Sequence, residues 1–164
     1  MIEMELVGVR GVGFQGFSPI VLLRENNERG LLLPIYIGRN EANSIDIVLR
    51  DEQSPRPMTH DLFQTALKEM EVTLSRVVVT ALKDKTFFAE LHLLTSAGEK
   101  RISSRPSDAI ALAMRMQSPI FAEEAVLDQA GEKLQDEEKG EPEENVLADF
   151  RDFLEEVSPD DFSA

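Results

Sequence analysis

One apolar stretch of the chain determines where the core must lie. Residues 109–114, Ala-Ile-Ala-Leu-Ala-Met, form a run of good helix formers with almost no polar side. A helix that is apolar around most of its circumference must be buried on nearly all sides. Pro106 suits the first helical turn, where its missing N–H removes no hydrogen bond. We therefore predict a core helix that begins near Pro106 and against which the other elements pack.

The segment that opens this helix is polar where the helix body is apolar. It is Arg105-Pro106-Ser107-Asp108. Asp108 falls in the first turn, where free backbone amides and the positive end of the helix dipole stabilise a carboxylate. A similar pattern, Arg56-Pro57-Met58-Thr59-His60-Asp61, precedes a second predicted helix. These two helix starts hold the best candidates for chemistry.

The hydrophobic pattern elsewhere predicts the remaining elements. Strands are predicted at residues 1–12, 20–24, 31–37, 72–82, 86–95, 100–103 and 118–121, and helices at 38–49 and 59–70, with a helical turn at 122–127. Pro34 favours an edge position or a bulge for its strand. Thr59 is the expected cap of the second helix. The apolar face of that helix is expected to be Leu62, Phe63, Ala66, Leu67 and Met70.

The order of these elements predicts the fold class. Strands, two helices, more strands and a further helix indicate an α+β fold. We expect a single compact domain at residues 1–127, in which helices pack on a mainly antiparallel or mixed β-sheet.

Composition limits the chemistry that the chain can perform. The sequence contains no cysteine and two histidines, which excludes disulfides, thiolate metal sites and a cysteine nucleophile, and leaves too few imidazoles for a typical zinc site. No apolar run approaches the ~20 residues of a membrane span, and residues 1–5 lack the basic start of a signal peptide. We expect a cytoplasmic protein with no membrane partner.

The net charge of −14 is distributed unevenly along the chain. Residues 1–127 hold 14 Lys and Arg against 17 Asp and Glu, a net charge of −3, and residues 128–164 hold 3 against 14, a net charge of −11. The nearly balanced body leaves a phosphate or nucleic-acid site possible.

The acidic C-terminal part is expected to have three segments. We predict an acidic flexible linker at residues 128–145, a short amphipathic helix at 146–158 and a terminal tail at 159–164. The helix would present an apolar stripe made of Phe150, Phe153, Leu154 and Val157. Such a stripe is expected to dock on the body of the same chain or on a protein partner.

The polar side chains at the helix starts have a functional and a structural interpretation. An imidazole titrates near neutral pH, so His60 can transfer a proton, or it can lie on the surface beside an Asp61 that only compensates the helix dipole. Arg56 and Arg105 can hold a phosphate next to the helix N-termini, or they can form ion pairs with neighbours such as Asp108. The sequence leaves these alternatives open.

Three carboxylates are each placed in the first turn of a predicted helix. They are Glu41, Asp61 and Asp108. Brought together, they can hold Mg²⁺ or Mn²⁺, which activates water and stabilises an oxyanion. Kept apart, they are three independent capping residues.

Several motifs, in this order and spacing, resemble the bifunctional nuclease domain family. They are Pro34-Ile35-Tyr36-Ile37-Gly38 with Glu41-Ala42, Arg56-Pro57 with Thr59-His60-Asp61-Leu62, and Arg105-Pro106-Ser107-Asp108-Ala109-Ile110-Ala111-Leu112-Ala113. The resemblance covers about residues 1–127. It implies a compact α+β domain, often oligomeric, and a nuclease activity on RNA and DNA attached chiefly to plant members. The family motif positions fall on Glu41, Arg56, His60, Asp61, Arg105, Ser107 and Asp108.

The sequence and the resemblance together predict a nuclease. It would be a phosphodiesterase acting on RNA, DNA or both, assisted by Mg²⁺ or Mn²⁺ and assembled as a homo-oligomer. The expected catalytic residues are His60, Asp61 and Asp108, the substrate-binding residues Arg56, Arg105 and Ser107, and the metal ligands Glu41, Asp61 and Asp108. The alternative is a non-catalytic regulatory module that binds a nucleotide, a small anion or a protein partner at the same place.

Overall fold

A mixed β-sheet forms the framework of the protein, and the helices pack against it. The computed structural model describes residues 1–11, 18–52 and 54–133. In chain order the elements are β1 (Ile2–Arg10), β2 (Ile20–Glu25), β3 (Leu32–Tyr36), α1 (Arg39–Leu49), α2 (Thr59–Glu69), β4 (Thr73–Lys83), β5 (Thr86–Thr95), β6 (Gly98–Ser104), α3 (Pro106–Met116), β7 (Ile120–Ala122) and α4 (Glu124–Ala130). This is the predicted α+β fold.

The sheet consists of two antiparallel groups of strands joined by one short strand. Its order is β3-β2-β1-β7-β4-β5-β6. β7 pairs antiparallel with β1 and parallel with β4, so the sheet is mixed, as expected. Pro34 lies on β3 at one edge, where a residue without an N–H interrupts no ladder on its free side.

The centre of the core is α3, as the apolar run predicts. Its five residues from Ala109 to Ala113 are each at most 1% exposed. α3 packs against α1 and α2 on one side and against β4 and β5 on the other. The three alanines let these neighbours approach closely, because a methyl group fills little space.

α2 packs differently from the prediction. Of its expected apolar face only Leu67 is buried, whereas Leu62, Phe63 and Met70 are 40–63% exposed. The contact with α3 uses the polar side of α2 instead: Gln64 donates a hydrogen bond to the carbonyl of Arg115 at 2.6 Å. The prediction was therefore right for Leu67 and wrong for Leu62, Phe63 and Met70, because polar contacts with α3 accompany the burial of Leu67.

The cap of α2 also differs from the prediction. Met58 is the N-cap and Thr59 is the first helical residue. The Asp61 carboxylate accepts a hydrogen bond from the Met58 backbone N–H at 2.8 Å. Asp61 therefore satisfies a backbone donor at the start of the helix, the task expected of Thr59.

The fold continues past the predicted boundary at residue 127. α4 extends to Ala130, and two backbone hydrogen bonds of 2.8 Å join Glu132 to Leu32. The start of the predicted linker thus belongs to the folded unit. The linker from residue 134, the helix at 146–158 and the tail at 159–164 lie outside the described residues. None of the helices that the structure describes has the length and apolar character needed to cross a bilayer.

Candidate functional site

The first turns of α1, α2 and α3 meet, and Arg105 links the side chains that they carry. Arg105 Nη1 donates to Glu41 Oε1 of α1 at 2.9 Å. Its Nε and Nη2 donate to the two carboxylate oxygens of Asp108 at 2.7 and 3.0 Å. His60 of α2 completes the group, with Nε2 3.3 Å from Asp108 Oδ1. Residues far apart in the chain thus form one polar cluster, completed by Ser44, Asp61 and Arg115.

Two local features of the sequence produce this arrangement. Pro106 disfavours a helical conformation of the residue before it, and Arg105 is accordingly extended, at φ −70° and ψ 144°. From there its side chain folds back onto Asp108, three residues later. At the start of α1, a Cβ at Gly38 would collide with the carboxylate of Glu41. Glycine therefore leaves Glu41 the space from which it reaches Arg105.

The Arg105–Asp108 pair is bidentate, which is the geometry that a guanidinium and a carboxylate prefer. The hydrogen bonds and charge of Asp108, followed by those of Glu41, raise the pKa of Arg105. Burial disfavours the charged form of Asp108, but the hydrogen bonds and charge of Arg105, with help from His60, outweigh burial and lower its pKa. Asp108 is therefore ionised at neutral pH. The ion pair between Arg105 and Asp108, which the sequence left open as an alternative to phosphate binding, is therefore present in the structure.

Both ring nitrogens of His60 have partners, so His60 is not a free surface residue. Nδ1 lies 2.8 Å from the hydroxyl of Ser44 on the interior side, and Nε2 faces Asp108. The His60 side chain is 17% exposed and that of Asp108 34%. Nε2 is thus the nitrogen on the accessible side of the ring.

Asp61 joins α2 to the far end of α3. Its Oδ1 accepts a hydrogen bond from Arg115 Nε at 2.6 Å, while Oδ2 accepts the bond from Met58. Burial raises the pKa of Asp61, but the Arg115 hydrogen bond, the Met58 N–H and the Arg115 charge together hold that pKa below its usual range. One oxygen of Asp61 therefore joins α2 to α3, and the other stabilises the start of α2.

Arg115 is the buried centre of these contacts. Its side chain is 4% exposed, and Nη1 donates to the carbonyls of Ser44 and Ala111 at 2.9 and 3.0 Å. Its Nη2 is buried and has no hydrogen-bond partner within the described part of the chain. One arginine thereby connects all three helices.

Two predicted substrate-binding residues stand apart from the cluster. Arg56 is exposed in the loop before α2, and the described residues give it no hydrogen bond or ion pair. Ser107 lies in the first turn of α3 but is only 5% exposed. The structure thus brings together Glu41, His60, Arg105 and Asp108, and it does not bring Arg56 or Ser107 into their hydrogen-bond network.

The carboxylates do not fit the expected metal site in this arrangement. Within residues 1–11, 18–52 and 54–133, no three acidic, histidine or cysteine side chains converge as metal ligands. Glu41 and Asp108 both face the guanidinium of Arg105, so a divalent cation would have to displace it. The two oxygens of Asp61 are already hydrogen-bonded. No step of the chemistry is therefore assigned to a metal.

Two residues of the cluster, Ser44 and Arg115, were missed from the sequence. A charged residue near the end of an otherwise apolar helix is a usable signal for Arg115, because a buried guanidinium needs acceptors. Ser44 follows Glu41 by three residues and so lies on the same side of α1. That spacing is common in any helix and gave no specific signal.

Comparisons with known proteins identify a family model and several relatives that this chain resembles. A model of the bifunctional nuclease domain matches residues 21–135. An uncharacterized protein of Mycobacterium tuberculosis is 40% identical over 169 positions, covering 100% of this chain and 99% of the relative. Bifunctional nuclease 2 of Arabidopsis thaliana is 28% identical over 117 positions, covering 68% of this chain and 35% of that protein. Bifunctional nuclease 1 of Oryza sativa subsp. japonica is 26% identical over 103 positions, covering 61% and 31%.

The chain thus spans about a third of the length of these two plant proteins. The family match covers residues 21–135, which are most of this chain and include all seven residues of the polar cluster. The protein therefore belongs to the bifunctional nuclease domain family.

Proposed function

We propose that this protein is a nuclease, a phosphodiesterase that hydrolyses RNA, DNA or both, with the polar cluster as its active site. Membership of the family and the names of the plant relatives support a nuclease. The observation that carries the choice of site is the exposed guanidinium of Arg105 beside His60 and Asp108, where three helix N-termini meet. An anion is favoured at such a place by the free amides and by the helix dipoles.

Arg105 holds the phosphate in this proposal. Its side chain is 64% exposed, and a planar guanidinium matches the oxygens of a phosphate in a bidentate manner. A phosphate oxygen would replace the Glu41 carboxylate on Nη1, because that contact comes from another helix and can be released separately. Asp108 then keeps Arg105 in place from the opposite side.

His60 transfers a proton through Nε2, the nitrogen on the accessible side of the ring. A positioned general acid or base contributes roughly 10²–10⁴-fold in rate. Asp108 orients the ring and stabilises the imidazolium, while its lowered pKa makes it a weak base. Asp61 is a positioning residue in this proposal, because it holds the start of α2 against α3 and so positions His60.

The expected requirement for Mg²⁺ or Mn²⁺ stays a prediction. A cation bound by Glu41 and Asp108 would have to exchange with Arg105, so metal binding and the Arg105 ion pairs would compete. Titration of the full chain with EDTA and then Mn²⁺, read out as hydrolysis, tests the requirement directly.

A homo-oligomer is part of the same proposal. Leu62, Phe63 and Met70 leave apolar side chains 40–63% exposed on α2, and large exposed apolar patches on soluble domains commonly mark interfaces. Sedimentation of the full chain gives the assembly state.

The decisive experiment compares two arginines of equal exposure. Arg105→Gln is expected to lower hydrolysis of end-labelled RNA and single-stranded DNA about 10²-fold or more, because it removes the charge that faces the phosphate. Arg101→Gln is the matched control, since Arg101 is also 64% exposed and pairs with a glutamate, but on β6. It should leave hydrolysis unchanged. Equal activity of Arg105→Gln and the wild type would contradict the proposed site.

The non-catalytic alternative also has an observation in its favour. Both ring nitrogens of His60 and both oxygens of Asp61 already have partners within the protein, whereas the exposed Arg105 could hold an anion without any proton transfer. Saturable binding of a nucleotide or small anion without turnover, abolished by Arg105→Gln, would support this regulatory module against the nuclease.

A further inference from the structure

Ser44 is the buried hydrogen-bond partner of His60, and the proposed reaction does not use it. It is 3% exposed and lies one turn after Glu41 on α1. Its hydroxyl is 2.8 Å from Nδ1 of the ring. Ser44, His60 and Asp108 therefore follow one another as in a Ser-His-Asp triad, but here the serine is on the buried side and cannot reach a substrate.

The position of Asp108 determines where the neutral ring carries its proton. Asp108 Oδ1 lies 3.3 Å from Nε2 and accepts a second hydrogen bond from Arg105 Nη2 at 3.0 Å. An ionised carboxylate only accepts hydrogen bonds. A lone pair on Nε2 would therefore repel it, whereas an Nε2–H donates to it. The neutral ring must then have an unprotonated Nδ1, and the hydroxyl of Ser44 donates to it.

We propose that Ser44 is a positioning residue for His60, whose buried hydroxyl holds the ring with its Nε2–H directed toward Asp108 and the accessible side. A hydroxyl is both donor and acceptor. It donates to Nδ1 in the resting neutral ring and accepts from Nδ1–H when that nitrogen carries a proton. His60 donates a proton from its imidazolium form, in which both nitrogens are protonated. Nε2 then gives its proton to the substrate, the ring becomes neutral with its proton on Nδ1, and the hydroxyl of Ser44 still accepts that hydrogen bond.

The effect of Ser44 on catalysis rests on the proposed function, but the positions of the protons on the His60 ring can be tested without it. In the wild type, ¹⁵N NMR of histidine-labelled full chain at a pH where the ring is neutral should show His60 with a protonated Nε2 and an unprotonated, hydrogen-bonded Nδ1. His60→Gln identifies the signals. In Ser44→Ala, the Nδ1 resonance should shift toward that of a nitrogen without a hydrogen bond, while the thermal unfolding curve shows that the chain is folded.

Two further variants separate positioning from packing. Ser75→Ala is the matched control, because its hydroxyl donates to the backbone carbonyl of His92, the other histidine, at 2.9 Å; it should leave the His60 signals unchanged. Ser44→Thr keeps a hydroxyl and should restore the wild-type Nδ1 resonance. In hydrolysis assays, Ser44→Ala should lower kcat about tenfold with little change in KM, since a misplaced group affects the chemical step.

The outcomes distinguish this inference from the proposed function. A protonated Nδ1 in the wild type, or an unchanged Nδ1 resonance in Ser44→Ala, would overturn the role of Ser44 whatever the activity. The expected NMR result without hydrolysis by the wild type would instead contradict the nuclease, and Ser44 would still hold His60 as described.

Discussion

Arg105 and Arg115 show how two residues of the same type acquire opposite tasks. Arg105 contacts Glu41 and Asp108 with a side chain that is 64% exposed, so water screens its ion pairs and they contribute little to stability. Arg115 is 4% exposed and pairs with Asp61 at 2.6 Å. Its charge is costly to leave without a partner in the interior. At the scale of single residues, Arg105 is available for a ligand and Arg115 is committed to the fold.

The Asp61–Arg115 pair gives a prediction for stability. Asp61→Ala is expected to lower the free energy of unfolding at pH 7 by about 2 kcal/mol, because the buried charge of Arg115 loses its partner. The loss is smaller than for a fully buried pair, since Asp61 is 35% exposed and water screens its charge. Asp46→Ala is the control, since Asp46 of α1 pairs with the exposed Arg50, which directly follows the helix. It should change stability by less than about 1 kcal/mol. Urea unfolding of both variants gives the values.

The same pair predicts how acid affects that difference. The pKa of Asp61 in the folded protein lies below its ordinary value of 3.8, so on acidification the unfolded chain binds the proton first. The stabilisation is fully present above that ordinary value and is lost as the pH falls through the folded pKa. Wild type and Asp61→Ala should therefore converge in acid. A constant difference between pH 7 and pH 2 would contradict the assigned ion pair.

Some contacts of the site could be predicted from the sequence. An ion pair of Arg105 with its neighbour Asp108 was one of the two interpretations left open, and the first-turn position of Asp61 indicated a role at the helix start. The contacts of Arg105 with Glu41 and of His60 with Ser44 could not be predicted. They join residues 64 and 16 positions apart, and only the packing of whole helices brings them within hydrogen-bond distance.

Among the elements, helix α3 forms the centre of the core with its middle and carries residues of the polar cluster at both ends. Its body is buried on all sides, and its first turn and last turn hold Asp108 and Arg115. Apolar periodicity predicts the body well because burial is its direct cause. The same rule held only in part for α2, where Leu67 is buried as expected but Asp61 and Gln64 contact α3 and Leu62 is exposed. A polar interface between helices leaves no apolar pattern from which it can be inferred.

The burial of α3 gives a prediction for folding. Ala109 is 1% exposed, so Ala109→Asp places a charge without a partner in the core and should unfold or aggregate the protein. Ala97→Asp makes the same substitution at an exposed position in the turn between β5 and β6. It should leave the chain folded. Circular dichroism and thermal unfolding compare the two, and a normal melting temperature of Ala109→Asp would contradict the central position of α3.

In the whole molecule, β7 is the element whose place in the sheet could be predicted least from the sequence. This strand of three residues lies between β1 and β4 and joins the two halves of the sheet. A run of residues 118–121 predicts a strand but not its neighbours, because pairing partners are set by contacts between distant parts of the chain. The α+β class could be predicted, whereas the sheet order that brings α1, α2 and α3 together could not.

Charge is also a property of the whole molecule, and it predicts the effect of the C-terminal part on nucleic-acid binding. Residues 134–164 hold twelve Asp and Glu against two Lys and Arg, a net charge of −10, and the remaining residues account for −4 of the total of −14. A net charge of the same sign as the phosphates opposes association, and salt screens this repulsion over about 10 Å at 0.1 M. Removing residues 134–164 should therefore strengthen oligonucleotide binding at low salt.

Truncation after Lys133, and not after residue 127, is the correct form of this experiment, because α4 and the Glu132 pairing belong to the folded unit. Affinity for one labelled oligonucleotide would be measured for both chains at roughly 50 and 300 mM salt, which span strong and weak screening. The truncated chain should bind several-fold more tightly at low salt and about equally at high salt. A full-length control with the twelve acids changed to Asn and Gln should match the truncated chain if charge alone is responsible. Equal affinities at low salt would mean that these residues serve solubility, and loss of folding on truncation would mean that they are part of the core.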